Sequence, residues 1–412
     1  MLGNNTQKHK KTTLFSKFLV FCVIFFSTRG SDIANSPIAL FSISLFIVLY
    51  SYLIGIKFSS VFFNLIIILL LYFTLLFIKF NEFTPLFYAR TLSTFLIGYV
   101  VVFLTKGKFI SIFIKIVSSL SVVSIPFFIL GIFSHSLLFW IGDNLSESLF
   151  LDSQLSSQID YRNFLIYTIR PIEERFRNPG FMWEPGAFSV ICSIALYFNL
   201  GISGFKVNRT SIILIISILT TQSTTGYLLL MVIGIFYFIN KKVHVSIYFY
   251  PVFILIGLYF WQLDFMGDKI LELSSNPDEK LEVFYDSKSN TGTQSLGRFA
   301  GLVYNLESVK VSPIFGIGSH EDILYSRTQV YLYSTNGIGQ FLMTFGYLGL
   351  LIFLFYMYKS NIRLSTYYSY RGGWTFFIIL LISGFSFLFF MSPIFCSFLF
   401  LGSILKNEEF NK

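Results

Sequence analysis

Charge is what this sequence is short of. Asp, Glu, Lys and Arg make up 12% of its 412 residues, where a soluble domain carries about a quarter. The chain has too little polarity to clothe its whole length in water. Histidine is scarcer still, with four residues, and cysteine is limited to Cys22, Cys192 and Cys396. Those three lie far apart inside apolar runs, which argues against a disulfide framework or a zinc site and leaves them as small core residues. No small-x-small cleavage site follows Lys8-His9-Lys10-Lys11 and the apolar stretch at 14–27. That opening therefore reads as an uncleaved first helix with its N-terminus in the cytoplasm. Neither an internal repeat nor a cytoplasmic domain stands out, so soluble chemistry is expected outside.

What the sequence has in quantity is apolar: 54% hydrophobic residues, 20% aromatic, and a mean hydropathy of +0.70. This is the composition of a polytopic membrane protein. The net charge of +9 suggests nucleic acid, but its distribution excludes that reading. Residues 134–184 hold seven Asp/Glu and residues 264–336 hold ten, leaving only Asp32, Glu82, Glu408 and Glu409 elsewhere. Lys and Arg concentrate in the short connections between apolar runs. That segregation is the positive-inside rule, not a phosphate-binding face.

Spans near the ~20 residues a bilayer requires fall at 37–56, 58–78, 86–104 and 109–133, after the first helix. A polar loop at 134–184 follows. Further spans fall at 185–201, 210–222, 226–240 and 245–263, with Gln222-Ser-Thr-Thr-Gly226 as a tight turn. A second polar loop at 264–336 precedes spans at 337–358, 374–391 and 393–405, the last two separated by Pro393. The expectation is an all-α protein of about twelve spans with both termini inside and two large outer loops. The units are thus helices 1–133, loop 134–184, helices 185–263, loop 264–336 and helices 337–412.

The stretch Arg175-Phe-Arg177-Asn-Pro179-Gly180-Phe-Met-Trp183-Glu184-Pro185-Gly186 organises the chain. It packs two arginines, two glycines, two prolines and one carboxylate into twelve residues, a mix that suits a rigid turn better than helix or strand. The plain alternative for Glu184 is a cap on the helix that Pro185 opens. Loop two holds Gly297-Arg298 and Ser312-Pro313-Ile-Phe-Gly316-Ile-Gly318-Ser-His320, and ends in Tyr333-Ser-Thr335-Asn336-Gly337. Gly316 and Gly318 are candidates to let backbone N–H groups approach an anion. No strand–turn–helix unit surrounds them, which excludes a nucleotide fold.

Arginines on two different loops are what a lipid-pyrophosphate substrate needs: the guanidinium fork binds phosphate bidentately, keeps its charge and stabilises a departing diphosphate. Glu184 and His320 are the candidate bases for an acceptor hydroxyl, with His320 as an ordinary loop histidine the alternative. Arg90 lies just inside the outer face and Arg29 at it. Each either snorkels or reaches toward a headgroup in the same site. Trp140, Trp183, Tyr325, Tyr331 and Tyr333 either stack on sugars or form an interfacial belt.

At these residues the chain resembles the O-antigen polymerase and O-antigen ligase superfamily of bacterial envelope enzymes. The resemblance rests on the Arg-x-x-Gly-Phe-x-x-Glu-Pro pattern at Arg177, Gly180, Phe181, Glu184 and Pro185. It rests also on Gly297-Arg298 followed by Ser312-Pro313-Ile-Phe-Gly316-Ile-Gly318, and on Asn336 ahead of Gly346-Tyr-Leu-Gly349. The resemblance implies a GT-C-like membrane glycosyltransferase that needs neither metal nor cofactor, in the bacterial inner membrane with its active site facing the periplasm. It implies that Arg177 and Arg298 contact the diphosphate or sugar and that Glu184 positions the acceptor; Arg175, Arg90, Gly316, Gly318 and Asn336 are the further candidates for binding the substrate. Expected partners are undecaprenyl-diphosphate-linked repeat units, membrane lipid and, for a polymerase, a chain-length regulator. Ligases usually show His-Asn where this chain has Thr335-Asn336, which favours a polymerase. A flippase or transporter is the other class, but matched halves and charges at mid-membrane are lacking.

Overall fold

The computed structural model describes residues 2–56, 58–149, 162–169, 176–241, 294–320 and 332–410. The expected span at 245–263 lies outside them, as do much of the second loop and Lys57. The first helices are α1 (Leu2–Phe25), the single turn α2 (Asp32–Asn35), α3 (Pro37–Leu53), α4 (Ser60–Phe80) and α5 (Pro85–Thr105). Then come α6 (Lys108–Phe133), α7 (His135–Leu149), α8 (Pro185–Ile202), α9 (Arg209–Thr220) and α10 (Thr224–Lys241). Beyond the second loop's α11 (Arg298–Val309) lie α12 (Gly337–Tyr367), α13 (Gly373–Ser386) and α14 (Pro393–Phe410). Among the described residues, six helices are long and apolar enough to cross a membrane, and five shorter apolar ones accompany them. The chain is an all-α, multi-pass membrane protein.

Local sequence sets the helix ends. Pro85 and Pro185 open α5 and α8 at positions where a missing N–H costs nothing. Ser36 accepts from Ala39 N at 3.2 Å ahead of Pro37, and Asn208 accepts from Ser211 N at 2.9 Å ahead of α9. Asn81 ends α4 in the left-handed region at φ 52°, a conformation asparagine tolerates.

In lipid, apolar surface alone does not hold helices together; close packing and hydrogen bonds do. Accordingly α4, the most apolar span, is buried over 22% of its most apolar 18 residues, while α8 is buried over 94% of its 18. α8 is the central pillar, packed on α6, α9 and α10, with Tyr197 sandwiched between Phe236 and Phe376 at 4.3 and 5.1 Å. Between α12 and α14, Ser360 Oγ donates to Phe398 O at 2.6 Å and accepts from Gly402 N at 3.0 Å. All three cysteines are buried and free, as small core residues should be.

The sequence-based layout needs three amendments. The first loop is not polar throughout: α7 is an amphipathic helix, tied to the short hairpin β1 (Arg162–Asn163) and β2 (Thr168–Ile169) by an Arg162–Asp143 ion pair. The second loop carries α11 and a parallel strand pair, β3 (Gln294–Leu296) with β4 (Leu332–Ser334). Finally, α13 stops at Ser386, five residues before the apolar run ends, and residues 387–392 form a non-helical corner before Pro393.

α12 is also broken. At Gly346 the backbone turns to φ 70°, ψ −178°, a region open essentially only to glycine. The break frees carbonyls and amides that lipid cannot satisfy, and the 312–318 turn satisfies them. Ile317 N and Gly318 N donate to Met343 O and Thr344 O at 2.9 and 3.1 Å, and Tyr347 N and Leu348 N donate to Pro313 O and Ile314 O at 2.8 and 3.3 Å. Tyr72 on α4 adds a bond to Thr344 O. Gly316 and Gly346 lie backbone to backbone, where a Cβ on either would collide with the other segment's main chain.

Candidate functional site

Nine residues, 176–184, connect the first loop to α8 without helix or strand. Asn178 fixes them. Fully buried, it donates through Nδ2 to Thr220 Oγ1 on α9 (2.9 Å) and Ser124 Oγ on α6 (3.2 Å). Its Oδ1 accepts from Gly180 N at 3.0 Å, and its own N–H donates to Thr220 O at 3.1 Å. Gly180 takes φ +53° against the face of the Phe188 ring, where a Cβ would lie 2.7 Å from ring atoms. Downstream, Trp183 N donates to Thr28 O at 3.3 Å, and its indole packs on Phe387 and Phe389 with centroids 6.2 and 5.5 Å apart. The turn is thereby clamped on the segment that follows α1, on α6 and α9, and on the 387–392 corner, and it displays Arg177 near one end and Glu184 at the other.

Glu184 occupies the N-cap position of α8 in an extended conformation, yet its side chain makes no capping hydrogen bond. The capping alternative therefore does not hold its carboxylate. It makes no hydrogen bond or close ion pair among the described residues.

Arg298 opens α11 from the second loop. Its Nε donates to Ser386 O at 3.0 Å, and its guanidinium lies over the Phe387 ring at 4.8 Å; among the described residues neither contact engages the fork's terminal nitrogens. Burial pushes the Arg298 pKa below its ordinary value; the Glu184 carboxylate opposes that shift and the Arg177 guanidinium adds to it. The two loops meet at the Phe387 ring, which carries the Arg298 guanidinium and packs against Trp183, the residue before Glu184; Glu184 and Arg177 both lie within electrostatic reach of Arg298. Asn336 is bonded to the same cluster through the Arg298 main chain. Its Nδ2 donates to Arg298 O at 3.2 Å while its Oδ1 caps α12 through Gly339 N at 2.7 Å. Neighbouring Thr335 Oγ1 donates to Leu296 O at 3.1 Å.

The structure thus brings Arg177, Glu184, Arg298 and Asn336 together. It places His320 against α4 instead. The ring is buried, stacks on Phe80 with centroids 4.6 Å apart, and sets Nδ1 3.0 Å from Ile317 O and Nε2 3.6 Å from a Glu82 oxygen. For Gly316 and Gly318 the anion-binding expectation is corrected: their N–H groups donate to Ser312 O and Thr344 O at 2.8 and 3.1 Å, so the positive φ values serve the α12 break. Arg90 lies half-buried in the second turn of α5. Arg175, Glu173, Glu174, Tyr325 and Tyr331 lie outside the described residues.

The reading by sequence missed Asn178 and the Ser386–Phe387 platform. Asn178 had a signal in its place between Arg177 and Pro179. The platform had none, because Ser386 contributes a backbone carbonyl and sits inside an apolar run.

Residues 210–354 match the protein family described as O-Antigen ligase. That stretch contains Arg298, His320 and Asn336, while Arg177 and Glu184 lie upstream of it. No curated protein matches the chain.

Proposed function

From membership of the O-antigen polymerase/ligase superfamily, which the match over residues 210–354 supports, we propose that the protein is an O-antigen or related surface-polysaccharide polymerase. It joins undecaprenyl-diphosphate-linked repeat units at the periplasmic face of the inner membrane. The observation that carries this reading is the meeting of the two loops at Phe387, where Arg298 lies over the ring and Trp183, next to Glu184, packs against it, with Glu184 and Arg177 both acting electrostatically on Arg298.

The donor glycan's anomeric C–O bond to the diphosphate breaks as an acceptor hydroxyl attacks that carbon. Negative charge grows on the departing lipid diphosphate, where Arg298 and Arg177 stabilise it more strongly than in the ground state. Arg298 is suited to this role because Ser386 O and the Phe387 ring hold its guanidinium in place before substrate arrives. The acceptor hydroxyl's proton passes to Glu184, which is held by a helix start and a clamped turn and is not used as a cap. Thr335 and Asn336 have structural tasks at the end of the second loop. That favours a polymerase over a ligase, which would be expected to carry a histidine base there.

The test is the lipopolysaccharide ladder of a strain lacking the gene and complemented with wild type, Arg177→Ala, Arg298→Ala or Glu184→Gln, each first shown to reach the membrane at normal level. Collapse of the ladder to core plus one repeat supports polymerisation and this site. Loss of every repeat-bearing band points to the ligase or to a flippase. A full ladder from all three variants rules out the mechanism.

A further inference from the structure

We infer that Arg29 is a third cation of this site and binds the anionic diphosphate of the lipid-linked substrate alongside Arg298. The inference rests on reading the site as one for a lipid-linked diphosphate, and three observations lead to it. Arg29 Nη2 lies 3.4 Å from Leu388 O, so Arg29 and Arg298 rest on carbonyls of the same corner, at residues 388 and 386. Two residues of chain span no more than about 7 Å. The preceding residue, Thr28, accepts from Trp183 N, which ties the Arg29 backbone to the residue next to Glu184. Finally, Arg29 stands at φ +50°, a left-handed conformation that is costly for a long side chain and that clusters at functional sites.

That conformation is held in place. Asn35 Nδ2, in the turn α2, donates to Arg29 O at 3.1 Å, and Ser31 caps the same turn through Ala34 N at 3.2 Å. The connection between α1 and α3 is thus built to present one guanidinium. Among the described residues, a single long bond to Leu388 O occupies one of its five N–H donors. The remaining fork is available for phosphate oxygens, the geometry in which arginine excels. The plain alternative is that Arg29 serves only to satisfy the Leu388 carbonyl.

Two experiments on the purified full-length protein separate these roles. Thermal unfolding with increasing inorganic pyrophosphate gives an affinity for wild type, Arg29→Gln and Arg29→Lys. Gln keeps a donor for Leu388 O but no charge, so a merely structural role predicts wild-type affinity. The anion role predicts a loss of about tenfold to a hundredfold, partly restored by Lys. If the Gln variant does not fold, phenylglyoxal labelling of the wild type, read by peptide mass spectrometry, carries the test: pyrophosphate must protect Arg29. Wild-type affinity in Arg29→Gln, or no protection, overturns the inference. Proteoliposomes supplied with lipid-linked repeat units keep the two readings apart. A raised KM with a smaller change in kcat for Arg29→Gln supports both. Arg29-dependent pyrophosphate binding without glycan extension by wild type retains the anion site and sinks the polymerase. Extension by wild type with unchanged KM and pyrophosphate affinity in Arg29→Gln sinks Arg29 alone.

Discussion

Asn178 makes a sharper test of the site than the charged residues, because it touches no substrate in the proposed mechanism. Replacing it with alanine removes three side-chain hydrogen bonds, to Thr220, Ser124 and Gly180 N, the last two buried. At about 1 kcal/mol each, plus roughly 1–3 kcal/mol for leaving the buried Gly180 N–H unpaired, the turn loses on the order of 4–6 kcal/mol. Asn178→Asp is nearly isosteric and is expected to fare no better. The hydroxyls of Thr220 and Ser124 already donate to Ser217 O and Ser121 O at 2.8 and 2.9 Å, so they present lone pairs, not hydrogens, to position 178. A carboxylate there meets two acceptors in a buried setting. Both variants should loosen the Arg177–Glu184 turn and lower glycan transfer by about a hundredfold, the usual cost of a misplacement near 1 Å. Transfer by purified protein and hydrogen exchange at 176–184 are the measurements. Wild-type transfer and wild-type exchange protection in Asn178→Asp would refute the claim that this side chain holds the site.

Gly346→Ala places a Cβ on the Ile314 carbonyl and demands a left-handed φ of a residue with a side chain. With the four reciprocal bonds of the 312–318 turn disrupted, melting in detergent should fall by the equivalent of several kcal/mol, and wild-type melting would negate the docking of the turn into the α12 break. His320→Ala empties a buried slot against Phe80 and should cost about 2–4 kcal/mol of stability while leaving transfer within a few-fold of wild type. A loss of transfer of about 10²-fold or more with normal melting would instead make His320 the base.

What could be read from the sequence follows from which forces leave a trace in it. Spans such as α4, α5 and α6 were legible within a few residues, because an apolar run of bilayer length bounded by Lys or Arg has no other stable reading. The interruptions were not. The apolar run passes through Ser386 to Met391 without a polar break, so the corner at 387–392 is set by tertiary contacts: Arg298 on Ser386 O and Thr225 Oγ1 on Ser386 Oγ at 3.0 Å. Gly346-Tyr-Leu-Gly349 reads as ordinary helix, and its break follows from the insertion of the Gly316 turn. β3 and β4 are three residues each and separated by more than thirty residues, too short and too distant for alternation to register.

The same division runs through the site. Arg177, Glu184 and Arg298 were recognisable because Pro179, Gly180, Pro185 and Gly297 frame them, and such frames mark backbone held for display. The surface they converge on has no comparable mark, since it consists of main-chain carbonyls at 386 and 388 and the faces of Phe387 and Phe389. In a water-facing enzyme, loop carbonyls of this kind would be hydrated. Here they lie where α13 and α14 meet the end of the bundle, and guanidinium groups from the first connection and the second loop occupy them. Each carbonyl gains a donor, each arginine gains a fixed position, and among the described residues the carboxylate that acts on Arg298 is Glu184. In the proposed mechanism the dianionic leaving group is drawn to these arginines, which are held in place in a half-buried setting before it forms.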